Sequence, residues 1–312
     1  MNGEREIWLH INYFEQGASL EFACKKAREL CVSGIEFRRT PFGREDEDVY
    51  LDEVSRALER YPLPSVCFGG PGVDLMSLDA SEVARNLDNA EAFYREAARR
   101  FPLAMVNAFS GVLVHPDKTR PFVEYWHHGS VLASEKQWEN AVNGFKRLAE
   151  TAAEFDFRFA FETHGCYLHD TLDATLELIR RIDSPRVGML WDQANLMIFP
   201  DSPTTDQVIE KANSLIYYVH LKNLLVSPSR FLAVSSLQGG IINIRQQVLH
   251  LLRNGYNGPL CVESPRDGDR EGFLLEDLSY LRSLLPNVPT FERNVRSSSA
   301  LCDLSENNPA MP

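Results

Sequence analysis

RFAFETHG (158–165), RVGMLWDQAN (186–195), IYYVHLKN (216–223) and GPLCVESP (258–265) are four short apolar runs. Each ends in an ionisable side chain: Glu162, Asp192, His220 and Glu263. A continuous apolar run of this length is the signature of a strand buried on both faces, as in a parallel sheet covered by helices. An ionisable residue closing such a run sits at the rim of the sheet. Four consecutive strands built this way, with helical patterns between them, bring three carboxylates and one imidazole to one mouth. That donor set suits a divalent cation, so the chain reads as a metal-dependent enzyme.

Working outward, the chain alternates strand-like and helix-like segments from end to end. The first strand is EIWLHIN (6–12), followed by a helix with Ser19 as N-cap and Phe22, Ala23, Ala27 and Leu30 on one face. GIEFR (34–38) is the second strand, 48–60 the second helix, and PLPSVCFGG the third strand. Asp79 and Glu82 read as a capping box opening a long helix to about Arg100. The fourth strand is PLAMVNAFSG, followed by the longest irregular stretch, 110–133, with Trp126, His127 and His128 placed to close over a substrate. A helix to Phe155 leads into the fifth strand, and another runs from Asp170 to Asp183. Thr204 and Gln207 open the helix before the seventh strand. The loop VSPSRFLAVSSLQGG leads to a helix over 241–254, and a last helix covers 271–284. Residues 286–312 lose periodicity and read as a partly ordered tail beyond a single domain, 1–285.

Eight strand–helix units imply a parallel sheet with right-handed crossovers. In about 285 residues they predict a closed single-domain α/β barrel of the (β/α)8 TIM type. An open doubly wound sheet would want a glycine-rich phosphate turn after the first strand, and HINYFEQG supplies none.

Composition narrows the function. A net charge of −12 speaks against a nucleic-acid footprint, which needs a basic face. No run reaches the length of a membrane span. The six cysteines are scattered without a C-x-x-C pair, which suits a reducing compartment, so a cytoplasmic location is expected.

In a barrel the active site lies at the C-terminal ends of the strands. Strands about 4.8 Å apart let Glu162, Asp192, His220 and Glu263 converge on one ion. Three carboxylates with an imidazole favour Mn²⁺, with Mg²⁺, Co²⁺ and Zn²⁺ as alternatives. An octahedral ion would keep two positions for the adjacent carbonyl and hydroxyl oxygens of a small polyhydroxylated substrate. His164 and Lys222 lie two residues beyond Glu162 and His220, so each shares the side of its strand with a ligand. Glu36, Asn107, Asn195 and Arg266 are the substrate-binding candidates. For Glu36 the plainer alternative is an ion pair with a neighbouring arginine, and for Arg266 an exposed position.

The strings FETHG, WDQAN, HLKN and SLQGGIINI…LLRNGYNGPLCVES resemble the xylose isomerase-like family of sugar-phosphate isomerases and epimerases. Related barrels are tagatose-type ketose epimerases, hydroxypyruvate isomerases, inosose dehydratases, 3-dehydroshikimate dehydratases and endonuclease IV. The resemblance spans roughly 6–285 in architecture and is motif-level from about 157 to 265. It implies that the family's metal ligands fall on Glu162, Asp192, His220 and Glu263. Glu162 and Glu263 then act as proton-moving groups on opposite faces of the substrate, through an enediolate. Asn195 stands where many of these epimerases carry a histidine, and asparagine moves no proton at neutral pH. The same segments also resemble the dehydratases, for which His164 and Lys222 are the candidate acid–base partners. A metal-dependent isomerase or epimerase is therefore the first expectation and a lyase the alternative. A homodimer through the loop after the fourth strand is compatible with either.

Overall fold

In the computed structural model, residues 5–39, 46–70, 74–226 and 232–285 are described. Eight parallel strands close into a barrel. In chain order they are β1 (Ile7–His10), β2 (Gly34–Arg38), β3 (Ser65–Gly69), β4 (Leu103–Ala108), β5 (Arg158–Glu162), β6 (Val187–Asp192), β7 (Ile216–Leu221) and, after a small hairpin of β8 (Asn223–Val226) and β9 (Leu232–Ser235), β10 (Leu260–Val262). β1 closes the circle by pairing with both β2 and β10. The outer helices are α1 (Leu20–Glu29), α2 (Glu47–Arg60), α3 (Ala80–Arg100), α4 (Glu135–Phe155), α5 (Leu172–Ile182), the single turn α6 (Gln193–Leu196), α7 (Thr205–Ala212), α8 (Ile244–Arg253) and α9 (Arg270–Leu284). The expected (β/α)8 architecture is the observed one. The expected tail, 286–312, lies outside the described residues.

Polar side chains set the helix starts. Ser19, Asp46, Thr171, Asn243 and Asp269 each accept a first-turn backbone N–H. Ser134 with Gln137, and Thr204 with Gln207, form closed capping boxes. The box expected at Asp79 is open: Asp79 caps α3, but the Glu82 carboxylate accepts from the Ser77 hydroxyl instead. α4 and α5 stop where Asp156 and Asp183 turn left-handed.

Two boundaries and one added element stand out against the sequence reading. β1 ends at His10, because the His10 ring accepts from the Asn12 N–H and curls the chain into a 3-10 turn, Ile11–Phe14. α8 starts at Ile244, where Asn243 supplies the cap. The loop after the seventh barrel strand contains the β8–β9 hairpin, which was not expected. No helix among the described residues is long and apolar enough to cross a membrane.

Most of the core lies between sheet and helices and is rich in phenylalanine, each such ring worth about 1.5–3 kcal/mol on burial. A separate small cluster fills the barrel interior: Trp8, Cys67, Met105, Ala160, Leu190, Tyr218 and Cys261. Side chains alternate along a strand. The residues two positions further on therefore face the same interior, one layer higher: His10, Gly69, Asn107, Glu162, Asp192, His220 and Glu263. The apolar plug is thus the floor of the site.

Candidate metal centre

Glu162, Asp192, His220 and Glu263 occupy adjacent strands β5, β6, β7 and the end of β10, and each offers one ligand atom within 4.8 Å of the others. The four residues read from the sequence are the four the barrel brings together.

Each is held by a different partner. Glu162 accepts from Asn107 Nδ2 at 2.7 Å and from Asn195 Nδ2 at 2.8 Å. Its backbone carbonyl accepts from His169 Nδ1. Burial pushes the His169 imidazole down to about 4, so it is neutral and its Nδ1 carries the proton. Asp192 accepts the Asn195 N–H at 3.0 Å, capping α6, and its other oxygen is 2.7 Å from Lys222 Nζ. Glu263 accepts from Asn12 Nδ2 at 3.1 Å and from Lys222 Nζ at 3.3 Å. His220 Nε2 is 2.8 Å from Glu36.

The electrostatics follow from this crowding. For Glu162, burial would raise the carboxyl, but the close approach of the positively charged His220 outweighs it and holds it down at about 2. Glu263 is likewise held well below the usual range, the penalty of burial being overcome by Lys222 and His220. Asp192 is pushed up, by burial first and then by the neighbouring glutamates against the pull of Lys222. His220 is held protonated despite its burial by Glu36 and Glu263.

One buried atom in this cluster, His220 Nδ1, lacks a properly directed hydrogen bond, whereas Asp192 Oδ2 is ion-paired with Lys222. Nδ1 is 2.9 Å from Glu263 and 3.7 Å from Glu162, yet neither lies along its ring direction. Unsatisfied buried groups are costly. Here His220 Nδ1 faces carboxylate oxygens with metal-ligand spacing, which is the fit expected of a divalent cation site.

The other sequence candidates fall at three distances from this centre. Lys222 is in direct contact with two of the four side chains. Asn195 and Asn107 are bonded to Glu162, and Glu36 lies beneath His220. Among the described residues Glu36 pairs with no arginine; Arg38 goes outward to Glu15. His164 is half-buried against Phe109 and Tyr167, its Nδ1 3.0 Å from the Gly165 carbonyl. Arg266 is not brought to the cluster. The chain turns outward after β10, and its guanidinium bonds Asp277, Glu276 and the Ser235 and Ser264 carbonyls.

Sequence reasoning missed His10 and Asn12, although the first strand ends in the polar string HIN, the same signal that marked the other four. It also missed Tyr218, which looks like an ordinary core aromatic until its hydroxyl is seen on Glu36 at 2.8 Å.

The loop after β4 borders the mouth. Gly129 N–H bonds Leu113 O, His115 N–H bonds His128 Nδ1, and Ser130 N–H bonds Asp170 Oδ2. Tyr125 rests on Gly165, where a Cβ would come within 2.6 Å of its ring. Trp126 is exposed and bonds only its neighbour His127 among the described residues.

Comparisons with known proteins agree with this architecture. An inosose dehydratase of Clostridium botulinum (strain Eklund 17B / Type B) is 24% identical over 161 residues, 47% of this chain and 52% of that protein. The chain thus matches about half the length of that curated relative. A xylose isomerase-like barrel of Mycobacterium smegmatis, solved with magnesium, superposes with a TM-score of 0.64 at 20% identity, covering 90% of this chain and 98% of that one. An L-ribulose 3-epimerase superposes with a TM-score of 0.67 at 16% identity, covering 98% and 100%. At such identities the structural likeness shows the fold. The description "xylose isomerase-like TIM barrel" fits the sequence itself over residues 24–284, and the chain belongs to that family.

Proposed function

We propose that the protein is a divalent-metal-dependent isomerase or epimerase of a small polyhydroxylated ketone, a sugar or sugar phosphate, acting by proton transfer through an enediolate. The observation that carries this reading is the pairing of Glu162 with Glu263. They stand at the two ends of the arc β5–β6–β7–β10, so they approach the mouth from two sides. Both are ionised at neutral pH, and both are therefore bases.

A cation held by Glu162, Asp192, His220 and Glu263 supplies positive charge beside the substrate oxygens on which negative charge develops. We favour Mn²⁺, with Mg²⁺, Co²⁺ and Zn²⁺ compatible with the same donors. Glu263 takes the proton from the carbon next to the carbonyl. Glu162, protonated from solvent, delivers a proton to the opposite face while Glu263 releases its own to solvent, giving an epimer. Return at the neighbouring carbon gives an isomer. Asn107 and Asn195 keep Glu162 aimed; Asn12 and Lys222 do so for Glu263. The cytoplasm is the compartment we assign, in keeping with five free cysteines among the described residues.

One observation favours a second reading. The Lys222 ammonium lies within the ligand cluster, and such a cation can donate a proton to a departing β-hydroxyl. After the same abstraction this gives dehydration of an inosose or cyclic keto-acid, with His164 as a second proton donor. The partial match to an inosose dehydratase supports it.

Incubation with Mn²⁺ and a panel of ketoses, inososes and 3-dehydroshikimate in D₂O separates the two. Deuterium in recovered ketose without conjugated-product absorbance is the expected result. Growth of an enone band with no exchange into ketose would transfer the assignment to the lyase. Glu263→Gln is expected to abolish turnover of either kind, and near-normal turnover by that variant would overturn the role given to Glu263.

A further inference from the structure

Glu36 lies at the inward face of β2, 1% exposed, one shell outside the four ligands. Every group around its carboxylate is a donor. Oε2 accepts from Tyr218 Oη at 2.8 Å and faces His220 Nε2 at 2.8 Å. Oε1 accepts from Asn107 Nδ2 at 2.9 Å, with His10 Nε2 at 3.6 Å. The ionised carboxylate can only accept. His220 Nε2 must therefore carry a hydrogen, and with Nε2 committed the free lone pair of the neutral ring is on Nδ1. Nδ1 is the atom that faces Glu162 and Glu263 without a directed hydrogen bond.

The seat is shaped for this carboxylate. A Cβ on Gly69, in the next strand, would run into Glu36 Oε1 and lie 2.6 Å from Asn107 Cβ. Asn107 Nδ2 also donates to Glu162 at 2.7 Å, so the same amide ties Glu36 to a second ligand. With three hydrogen-bond partners on its carboxylate, the His10 ring beside it and 1% exposure, Glu36 is closed off from a substrate hydroxyl.

We propose that Glu36 is a positioning residue of the metal centre: it locks the Nε2–H tautomer of His220, aims Nδ1 at the shared ligand position, and through Asn107 fixes the orientation of Glu162. This rests on the metal reading of the cluster. Partners of metal-bound histidines typically change metal affinity by about 10–100-fold when removed. Glutamine at position 36 keeps the size but turns one oxygen into a donor. If the amide group faces His220, Nε2 must accept and the proton moves to Nδ1. If it faces Asn107, two donors oppose each other and the tie to Glu162 is lost.

The test is calorimetric titration of metal-free protein with Mn²⁺. Glu36→Gln is expected to bind about 10–100-fold more weakly than wild type. Tyr218→Phe disturbs the same buried layer but leaves the carboxylate on His220, and is expected to stay within about threefold of wild type. Equal affinity in wild type and Glu36→Gln overturns the proposal alone; so does an equal loss in Tyr218→Phe, which would signal general loosening. A wild type that takes up no Mn²⁺ overturns the proposal together with the metal reading. If Glu36→Gln does not fold, nitrogen NMR of the Zn²⁺-loaded wild type decides, with the His220 signal identified by its loss in His220→Gln. A proton on Nε2 supports the proposal, and a proton on Nδ1 overturns it.

Discussion

Replacing Asp170 by asparagine is expected to stabilise the protein at neutral pH and to do so only there. Asp170 is 1% exposed and starts the turn into α5. Its Oδ2 accepts the Ser130 N–H at 2.9 Å, pinning the loop after β4, while Oδ1 is buried without a partner. Burial pushes its carboxyl up from 3.8 to about 6, against the hydrogen bonds from Ser130 that pull it down. A raised carboxyl means that the folded state binds more protons than the unfolded one between those two values. Stability therefore falls as the pH rises from about 4 through about 6, and the loss is complete above that window. Roughly two pH units at 1.36 kcal/mol each set the upper limit at about 3 kcal/mol. Asparagine keeps an oxygen for Ser130 and removes the charge, so the gain at about pH 7.5 is put at 1–3 kcal/mol. For a barrel of this size that is a melting-temperature rise of about 2–5 °C. Urea unfolding of both proteins across that pH range, in the presence of chelator, measures it. The difference is expected to shrink to nothing near pH 4, where wild-type Asp170 is itself neutral. An asparagine variant that is less stable than wild type at neutral pH, or a difference that does not change with pH, refutes the reasoning.

Two further outcomes concern the metal centre. Mn²⁺ at a hundredfold over its dissociation constant is expected to stabilise the folded state by about 2.7 kcal/mol, or about 5 °C in melting temperature, reversed by chelator; no shift at millimolar Mn²⁺ would count against the site. Gly69→Ala pushes a methyl group into Glu36 and Asn107, which are hydrogen-bonded to each other, and is expected to cost about 1–3 kcal/mol and to weaken Mn²⁺ binding. Unchanged stability and affinity in that variant would show that the layer around Glu36 is softer than its hydrogen bonds indicate.

The barrel was legible because its strands are short, apolar and evenly spaced, and because Glu162, Asp192, His220 and Glu263 close four of them in the same phase. One residue's position relative to its own strand was enough. The failures share a different cause. Arg266 follows Glu263 by three residues and Lys222 follows His220 by two, but whether a side chain after a strand turns inward depends on where the loop goes. β10 is three residues long, and Ser264 is already captured by the Tyr13 hydroxyl and the Ser235 carbonyl, which carries Arg266 to Asp277. Asn12 shows the reverse: it lies beyond the end of β1, yet the His10 ring folds the chain back and presents its amide to Glu263. The β8–β9 hairpin was hidden because its strands are half-exposed and their apolar runs are only three residues long, Leu224–Val226 and Leu232–Val234.

Glu36 belongs to a third class, since its role depends on barrel closure. β2 and β7 are far apart in the order of strands, and only the circle brings Glu36 across the interior to Tyr218 and His220. The charge balance of the whole layer then gives the reason for the arrangement. Glu36, Glu162, Asp192 and Glu263 face Lys222 and a protonated His220, so two negative charges remain uncompensated in a buried space. The interior layer directly below is apolar and well packed, so the fold has no need of this charge for its own stability. A divalent cation held by Glu162, Asp192, His220 and Glu263 would balance it, and loss of the His220 proton would leave the cluster at one net negative charge. That residue of charge is what a general base requires: the carboxylates would hold the ion without being fully neutralised by it, and the second oxygen of one of them can take a proton from carbon.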